Sequence, residues 1–127
     1  MVALLFASGC SRSDQNHQEI LKTLATRTNA LNLRDMTMYL SVVSRNYNDK
    51  HKNYVQLKES LENNFRDYEQ LSYEPGTPTI TVTGATAESV CSYRMKIKVR
   101  KKEMTLNGIE HLRLAKEPEG WKIIAGI

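Results

Sequence analysis

Proton transfer is the first chemistry that individual residues of this sequence suggest. General acid–base catalysis needs a carboxyl, an imidazole or a phenol within hydrogen-bond reach of the reacting atom, and Glu110, His111 and Tyr93 carry these groups. Strand alternation places Glu110 on the same face as Leu112, which must be buried. The clearest predicted strand, residues 91–99, turns no carboxylate inward. These three residues are the catalytic candidates, and the sequence favours a protein that is not an enzyme.

Metal and cofactor sites have no support in the sequence. The three histidines, His17, His51 and His111, lie far apart, and none belongs to a His-x-His or His-Glu-x-x-His pattern. The chain has neither a glycine-rich phosphate loop nor a nucleophile elbow. Cys91 has no evident activating base, and we expect a small buried thiol there. The sequence therefore predicts no metal and no cofactor.

Helical periodicity dominates the first half of the chain. Three apolar stripes, each repeating at three and four residues, predict three amphipathic helices before any strand. The first stripe covers residues 20–31. The second covers residues 36–47 and follows Asp35, a residue type that caps helix starts. The third covers residues 54–68.

Beyond the turn sequence Pro75-Gly76-Thr77-Pro78 the period changes to two, which predicts strands. In the clearest strand, alternate residues face inward: Cys91, Tyr93, Met95, Ile97 and Val99. A hairpin turn is expected at Leu106-Asn107-Gly108, because Asn-Gly suits a tight turn. Ile109 has the opposite parity to Leu112, and this conflict predicts a β-bulge or a strand start near residues 110–111. A bulge there would turn Glu110 toward solvent.

Helices followed by antiparallel strands indicate an α+β fold, with the helices packed on one face of a curved sheet. The order of the elements, the segment ALNLRDMTMYLSVVSRNY and the closing LRLAKEPEGWKI resemble the nuclear-transport-factor-two-like superfamily. The similarity covers roughly residues 14–127. It implies a cone, in which a strongly curved antiparallel sheet wraps three N-terminal helices and leaves a cavity at the wide end. The residues expected to line that cavity and bind a ligand are Tyr39, Phe65, Tyr93, Met95 and Trp121.

The N-terminal residues Ala7-Ser8-Gly9-Cys10 follow a short apolar run and resemble a bacterial lipobox. This resemblance implies a lipid on Cys10 and a membrane-anchored protein of the bacterial cell envelope, on the periplasmic side of the outer membrane in a Gram-negative cell. The alternative is an apolar terminus with an incidental cysteine. The apolar run is too short to span a bilayer. We divide the chain into a signal-peptide remnant (1–9), a tether (10–18) and one α+β cone domain (19–127).

The opposite face of the clearest strand is basic, with Arg94, Lys96, Lys98 and Arg100 in a row. This row is either a solvated sheet face or a contact for an acidic protein or anionic lipid. Dimerisation through this face would oppose like charges unless Glu88 or Glu117 offset them. The remaining charge is spread along a chain of net charge +4, which does not indicate nucleic-acid binding.

These observations favour a non-catalytic, lipid-anchored envelope domain that binds a small apolar ligand or a protein partner in or near its cavity. Two alternatives remain open. One is a small-molecule isomerase or dehydratase of the ketosteroid-isomerase type, because that fold hosts such enzymes as well as binders. The other is a structural subunit of an envelope complex.

Overall fold

The structure, a computed structural model, describes residues 12–127. Three helices and a two-stranded hairpin come first: α1 (Arg12–Leu33), α2 (Met36–Leu40), β1 (Asn48–Asp49), β2 (Lys52–Asn53) and α3 (Tyr54–Asp67). The five strands of the main sheet follow: β3 (Gln70–Pro75), β4 (Thr79–Thr83), β5 (Thr86–Val99), β6 (Lys102–Glu117) and β7 (Gly120–Ala125). Within residues 12–127, no helix is both long and apolar enough to cross a membrane.

The main sheet is antiparallel, curved and not closed into a barrel. Strand β5 pairs along its whole length with β6, and its other edge is shared by β4 and β3. Strand β7 adds to the far end of β6. The predicted α+β architecture of helices on a curved antiparallel sheet is therefore confirmed.

The inner face of the sheet and helix α1 form the core. Ile20 and Leu31 of α1 are buried, as are Leu114 of β6 and Ile123 of β7. On β5 the predicted alternation is confirmed for Cys91 and Ile97, which are buried, and for Tyr93 and Met95, which pack against the core. Burial of this common apolar surface stabilises the fold.

The second helix is shorter than the apolar stripe predicts. Asp35 does cap it, since its carboxylate accepts a hydrogen bond from the Met38 backbone N–H at 3.0 Å, but the helix ends at Leu40. The chain then runs beside β7: the Ser44 N–H donates to the Ile123 carbonyl, and the Ile123 N–H donates to the Val42 carbonyl. Residues 42–44 therefore extend the sheet edge, a role that suits β-branched valines.

The predicted turn at residues 106–108 is wrong, because β6 runs unbroken from Lys102 to Glu117. The hairpin turn consists of Arg100 and Lys101, whose φ angles are 51° and 66°. Two positive φ values fit a type I′ turn. Gly108 instead lies inside the strand, where an added Cβ would come within 3.0 Å of the Tyr93 hydroxyl.

The predicted bulge or strand start near residues 110–111 is also wrong. The pairing of β5 with β6 continues through Cys91 opposite Glu110 without a shift, and Ile109 simply points outward into solvent. The register shift lies between Arg113 and Leu114, on the side that pairs with β7. Glu110 therefore shares the inner face with Leu112, as strand alternation predicts.

Two further boundaries differ from the predictions. Helix α1 begins at Arg12, so the described part of the proposed tether is helical, whereas residues 1–11 lie outside the described residues. Strand β3 directly follows α3, in a segment for which no strand was predicted. Its residues alternate between polar and apolar side chains, which is the period of a half-buried strand, so the signal was present in the sequence.

The outer face of the sheet carries Arg94, Lys96 and Lys98 of the predicted basic row, whereas Arg100 lies in the hairpin turn that follows β5. The acidic neighbours of the row are not the two suggested by the sequence: Glu88 lies opposite Arg113, and Glu117 accepts a hydrogen bond from the Ser44 hydroxyl. Two other acids are closer to the row, because Glu74 lies opposite Arg94 and Glu103 lies opposite Lys98.

The turn between β5 and β6 offers a test of the fold. Replacing Arg100→Asn together with Lys101→Gly supplies the residues that tolerate positive φ, and should stabilise the protein by about 0.5–1 kcal/mol. Lys102→Gly, one residue later in the strand, should instead destabilise it. Urea unfolding measures both changes. Lower stability of the Asn-Gly variant would contradict the assigned turn.

Candidate functional site

A buried arginine lies on the core-facing side of α1. The buried positions of this helix are Ile20, Thr23, Arg27, Ala30 and Leu31, which follow the spacing of one helical face. Arg27 thus occupies a position at which an apolar side chain would continue the stripe, and only 6% of its surface is exposed. A charge so buried needs a partner.

Glu110 is that partner. Two parallel hydrogen bonds of 2.7 Å join the Nη1 and Nη2 groups of Arg27 to Oε1 and Oε2 of Glu110. Two tyrosines complete the cluster: Tyr73 donates its hydroxyl hydrogen to Glu110 Oε1 at 2.7 Å, and Arg27 Nε donates to the Tyr39 hydroxyl oxygen at 3.0 Å. The cluster links α1, α2, β3 and β6 through side-chain hydrogen bonds.

Tyr73 is held in place from two sides. The Asn32 carboxamide makes two hydrogen bonds to its backbone, accepting from the N–H at 2.7 Å and donating to the carbonyl at 3.0 Å. The Tyr93 ring stacks on the Tyr73 ring at a centroid distance of 5.9 Å. Gly108 leaves room for the Tyr93 ring, because a Cβ at position 108 would crowd that ring. These contacts fix the direction of the Tyr73 hydroxyl.

A cavity of about 200 Å³ lies beside this cluster, between α1 and the inner face of the sheet. Its wall is mainly apolar, with contributions from Leu21, Leu24 and Leu112. Glu110 and Tyr73 border it together with Arg27. The site is thus an apolar pocket with one polar wall, the usual composition of a small-molecule site.

The ion pair sets the protonation states in the cavity. Burial raises the pKa of Glu110, but the hydrogen bonds and charge of Arg27 outweigh this effect, and the net pKa lies below its ordinary value of 4.5. Burial lowers the pKa of Arg27, yet the neighbouring Tyr39 and Glu110 leave the net pKa well above its ordinary value. The pair is therefore fully ionised at neutral pH.

Burial raises the pKa of Tyr73, and its hydrogen bond to the Glu110 carboxylate raises it further. Tyr73 therefore keeps its proton at neutral pH. Burial likewise raises the pKa of the Cys91 thiol, which borders the cavity and donates to the Gly76 carbonyl at 3.3 Å. The thiol remains protonated, as the sequence suggested, and is a poor nucleophile. A general base works best when its pKa lies near the working pH, and neither Glu110, Tyr73 nor Cys91 meets this condition at pH 7.

Of the three catalytic candidates, the structure places only Glu110 at the cavity. His111 is exposed on β6, opposite Val90. Tyr93 supports Tyr73 from behind and is not among the described residues that border the cavity. Among residues 12–127, no group of three or more His, Cys, Asp or Glu side chains is arranged to hold a metal ion.

The five residues expected to line the cavity do not border it. Tyr39 is fully buried beneath Arg27 and makes an edge-to-face contact with Phe65 at 6.4 Å. Trp121 is buried on β7, and its indole N–H donates to the side chain of Asn16 at 3.4 Å. Tyr93 and Met95 pack against the core. These side chains fill the interior of the cone, and the cavity lies beside them.

Sequence reasoning missed Arg27, Tyr73 and Asn32. A signal for Arg27 was present, because an arginine on the apolar stripe of α1 must find a buried partner. Glu110, the only carboxylate assigned to an inward strand position, was the matching signal. Tyr73 and Asn32 gave no such signal, because their contact depends on the edge strand β3.

Comparison with protein-family profiles and with curated protein sequences finds no match. Solved structures do match. The Kfla4162 protein from Kribbella flavida superposes with a TM-score of 0.82 at 10% identity, covering 90% of this chain and 89% of its own. A nuclear transport factor 2 (NTF2-like) superfamily protein from Salmonella enterica serovar Typhimurium superposes with a TM-score of 0.80 at 17% identity, covering 90% and 92%.

A third structure is named as a candidate scytalone dehydratase from Novosphingobium aromaticivorans. It superposes with a TM-score of 0.77 at 13% identity and covers 87% of this chain and 80% of its own. At these identities the similarity concerns the fold. The chain has the NTF2-like fold, as its sequence resemblance implied, and structures of this fold include proteins named as candidate dehydratases.

The ion pair can be tested by a double-mutant cycle. Arg27→Met or Glu110→Leu alone should cost about 3–5 kcal/mol of stability, because each leaves one buried charge without its partner. The double variant should cost much less than the sum of the two. Urea unfolding at pH 7 gives all three values, and additive losses would refute the coupling.

The same cycle has an expected pH dependence. Because the folded-state pKa of Glu110 lies below its ordinary value of 4.5, the stability that the carboxylate contributes is fully present above pH 4.5. It should be lost as the pH falls through the lower folded-state pKa. The coupling energy should therefore shrink only in acid.

Proposed function

We propose that this domain binds a small, largely apolar molecule in the cavity beside Arg27 and Glu110 and performs no reaction on it. The observation that carries this proposal is the two-point hydrogen bonding of the Glu110 carboxylate to Arg27. A catalytic base must accept a proton from its substrate, and a carboxylate with a lowered pKa accepts one poorly.

The hydrogen bonds that the Glu110 carboxylate already accepts indicate which polar group the ligand carries. The carboxylate of Glu110 can accept about four hydrogen bonds. Oε1 accepts from Arg27 and from Tyr73, whereas Oε2 accepts from Arg27 alone. The free position on Oε2 favours a ligand that donates a hydrogen bond. Because Arg27 already neutralises Glu110, a neutral hydroxyl fits this wall better than an anion.

The second candidate is an isomerase or dehydratase acting in the same cavity. It is favoured by the Tyr73 hydroxyl, which lies 2.7 Å from Glu110 at the cavity wall, and by the names of structural neighbours. For this function Glu110 would have to leave Arg27 during the reaction. The intact ion pair is the reason we place binding first.

The proposal includes the membrane anchor. The lipobox-like residues ending in Cys10 support lipidation and a location in the bacterial cell envelope, at the periplasmic side of the outer membrane in a Gram-negative host. Cys10 lies outside the described residues, so this part rests on the sequence. The basic row of Arg94, Lys96, Lys98 and Arg100 would then lie within reach of anionic headgroups or acidic envelope proteins, which keeps the structural-subunit alternative open.

Ligand binding can be tested with three probes of similar size. Benzyl alcohol should bind about tenfold more tightly than ethylbenzene, since it alone donates a hydrogen bond, and benzoate should bind most weakly. Chemical-shift titrations in ¹H–¹⁵N NMR measure all three. Ala25→Trp, at an exposed position bordering the cavity, should abolish binding, whereas Lys22→Trp on the same helix should not. Failure of every probe to bind would refute the cavity as a binding site.

Lipidation can be tested in a bacterial host. The natural chain should fractionate with membranes, and mass spectrometry should detect acyl groups on Cys10. Cys10→Ser should release the protein in soluble form, whereas Cys91→Ser should leave the membrane association unchanged. An unmodified Cys10 in membrane-free fractions would contradict the anchor.

A further inference from the structure

Exposed strand edges attract other strands, because they present unpaired backbone N–H and C=O groups. Most edges of this sheet are protected. The Asn32 carboxamide hydrogen-bonds to the backbone N–H and carbonyl of Tyr73 on β3. Residues 42–44 hydrogen-bond to β7. Strand β4 is short and follows Pro78, a feature that limits edge-to-edge pairing.

The edge of β6 is the exception. Strand β7 pairs with β6 from Arg113 onward, and Gly126 lies against the His111 carbonyl. Between residues 102 and 110, β6 is paired with β5 on one side and with no described strand on the other. About half of the backbone groups along this stretch therefore point away from the sheet.

The same stretch concentrates exposed apolar side chains. The described residues include five large apolar side chains that are exposed, and three of them lie here: Met104 at 50%, Leu106 at 39% and Ile109 at 66%. Met104 and Leu106 are on the inner face, beyond the area that the helices cover. An unpaired edge with apolar side chains beside it is a binding surface for another strand.

We propose that the occupant is the same edge of a second copy of this chain, joined by an antiparallel β6–β6 pairing across a two-fold axis. Centring the pairing on Thr105 sets Met104 opposite Leu106 of the second copy, and Leu106 opposite its Met104. Thr105 lies opposite itself. Glu103 meets Asn107 and Lys102 meets Gly108, so no like charges are opposed. The edge is thus its own complement, as a two-fold interface requires.

Charge separation agrees with this arrangement. In the paired sheet, the basic rows on the two β5 strands are three strand spacings apart, roughly 14 Å. This distance exceeds the screening length of about 8 Å at physiological salt. Pairing through the outer faces would instead bring Arg94, Lys96 and Lys98 of the two copies together. The edge contact therefore joins two copies without opposing their basic rows.

The test is the oligomeric state of the full chain, carrying Cys10→Ser in every sample so that neither acylation nor an intermolecular disulfide at that residue contributes. Sedimentation velocity should show a concentration-dependent dimer. Adding Met104→Lys and Leu106→Lys should weaken dimerisation about tenfold or more, because two cross-strand pairs become repulsive. Adding Met104→Lys and Leu106→Glu should preserve the dimer, because each lysine then faces a glutamate of the second copy.

The matched control is Leu33→Lys with Val55→Lys, which changes two apolar residues on α1 and α3 that are more exposed than Met104 and Leu106, and it should leave the dimer intact. Unchanged thermal unfolding verifies that each variant is folded. A monomer at all concentrations would overturn the proposal, including one that binds lipid vesicles or an added protein. A dimer insensitive to the double-lysine change, or one that the lysine–glutamate variant disrupts equally, would also overturn it.

Discussion

The bidentate ion pair between Arg27 and Glu110 is the constraint on which the arrangement of the site depends. Both charges are largely removed from water, so each is tolerable only while the other stays within hydrogen-bond distance. This requirement fixes α1 against β6 at one point. Because Tyr73 donates to Glu110 and Tyr39 accepts from Arg27, it also fixes the edge strand β3 and the short helix α2.

The pair also determines the chemistry of the cavity beside it. A carboxylate that borders an apolar pocket without a basic partner has a raised pKa and becomes a useful base. Here the guanidinium reverses that effect, so the polar wall of the cavity is a fixed, ionised acceptor. The fold thus provides a pocket of the kind that enzymes use, but its carboxylate is committed to holding the structure together. This arrangement is the main support for the proposed binding function.

The sequence predicted those features that one local rule controls, such as strand alternation. It did not predict features that depend on contacts between distant parts of the chain. The alternation on β5 is imposed by a sheet with one buried face, so the inward positions of Tyr93 and Ile97 were predictable. Asn107-Gly108 predicted a turn from local preference, but Gly108 serves to accommodate the Tyr93 ring inside a strand. The cavity lining was misassigned because large aromatic residues fill the core, whereas the pocket lies beside a buried ion pair.

Arg27 keeps Glu110 ionised in the native protein, and the titration of this one carboxyl group measures that effect directly. Selective ¹³C labelling of glutamate and NMR across the acid range would report the pKa of Glu110 in the folded chain. We expect a midpoint below the ordinary value of 4.5. A midpoint above that value, toward neutrality, would contradict it and would make Glu110 a plausible catalytic base.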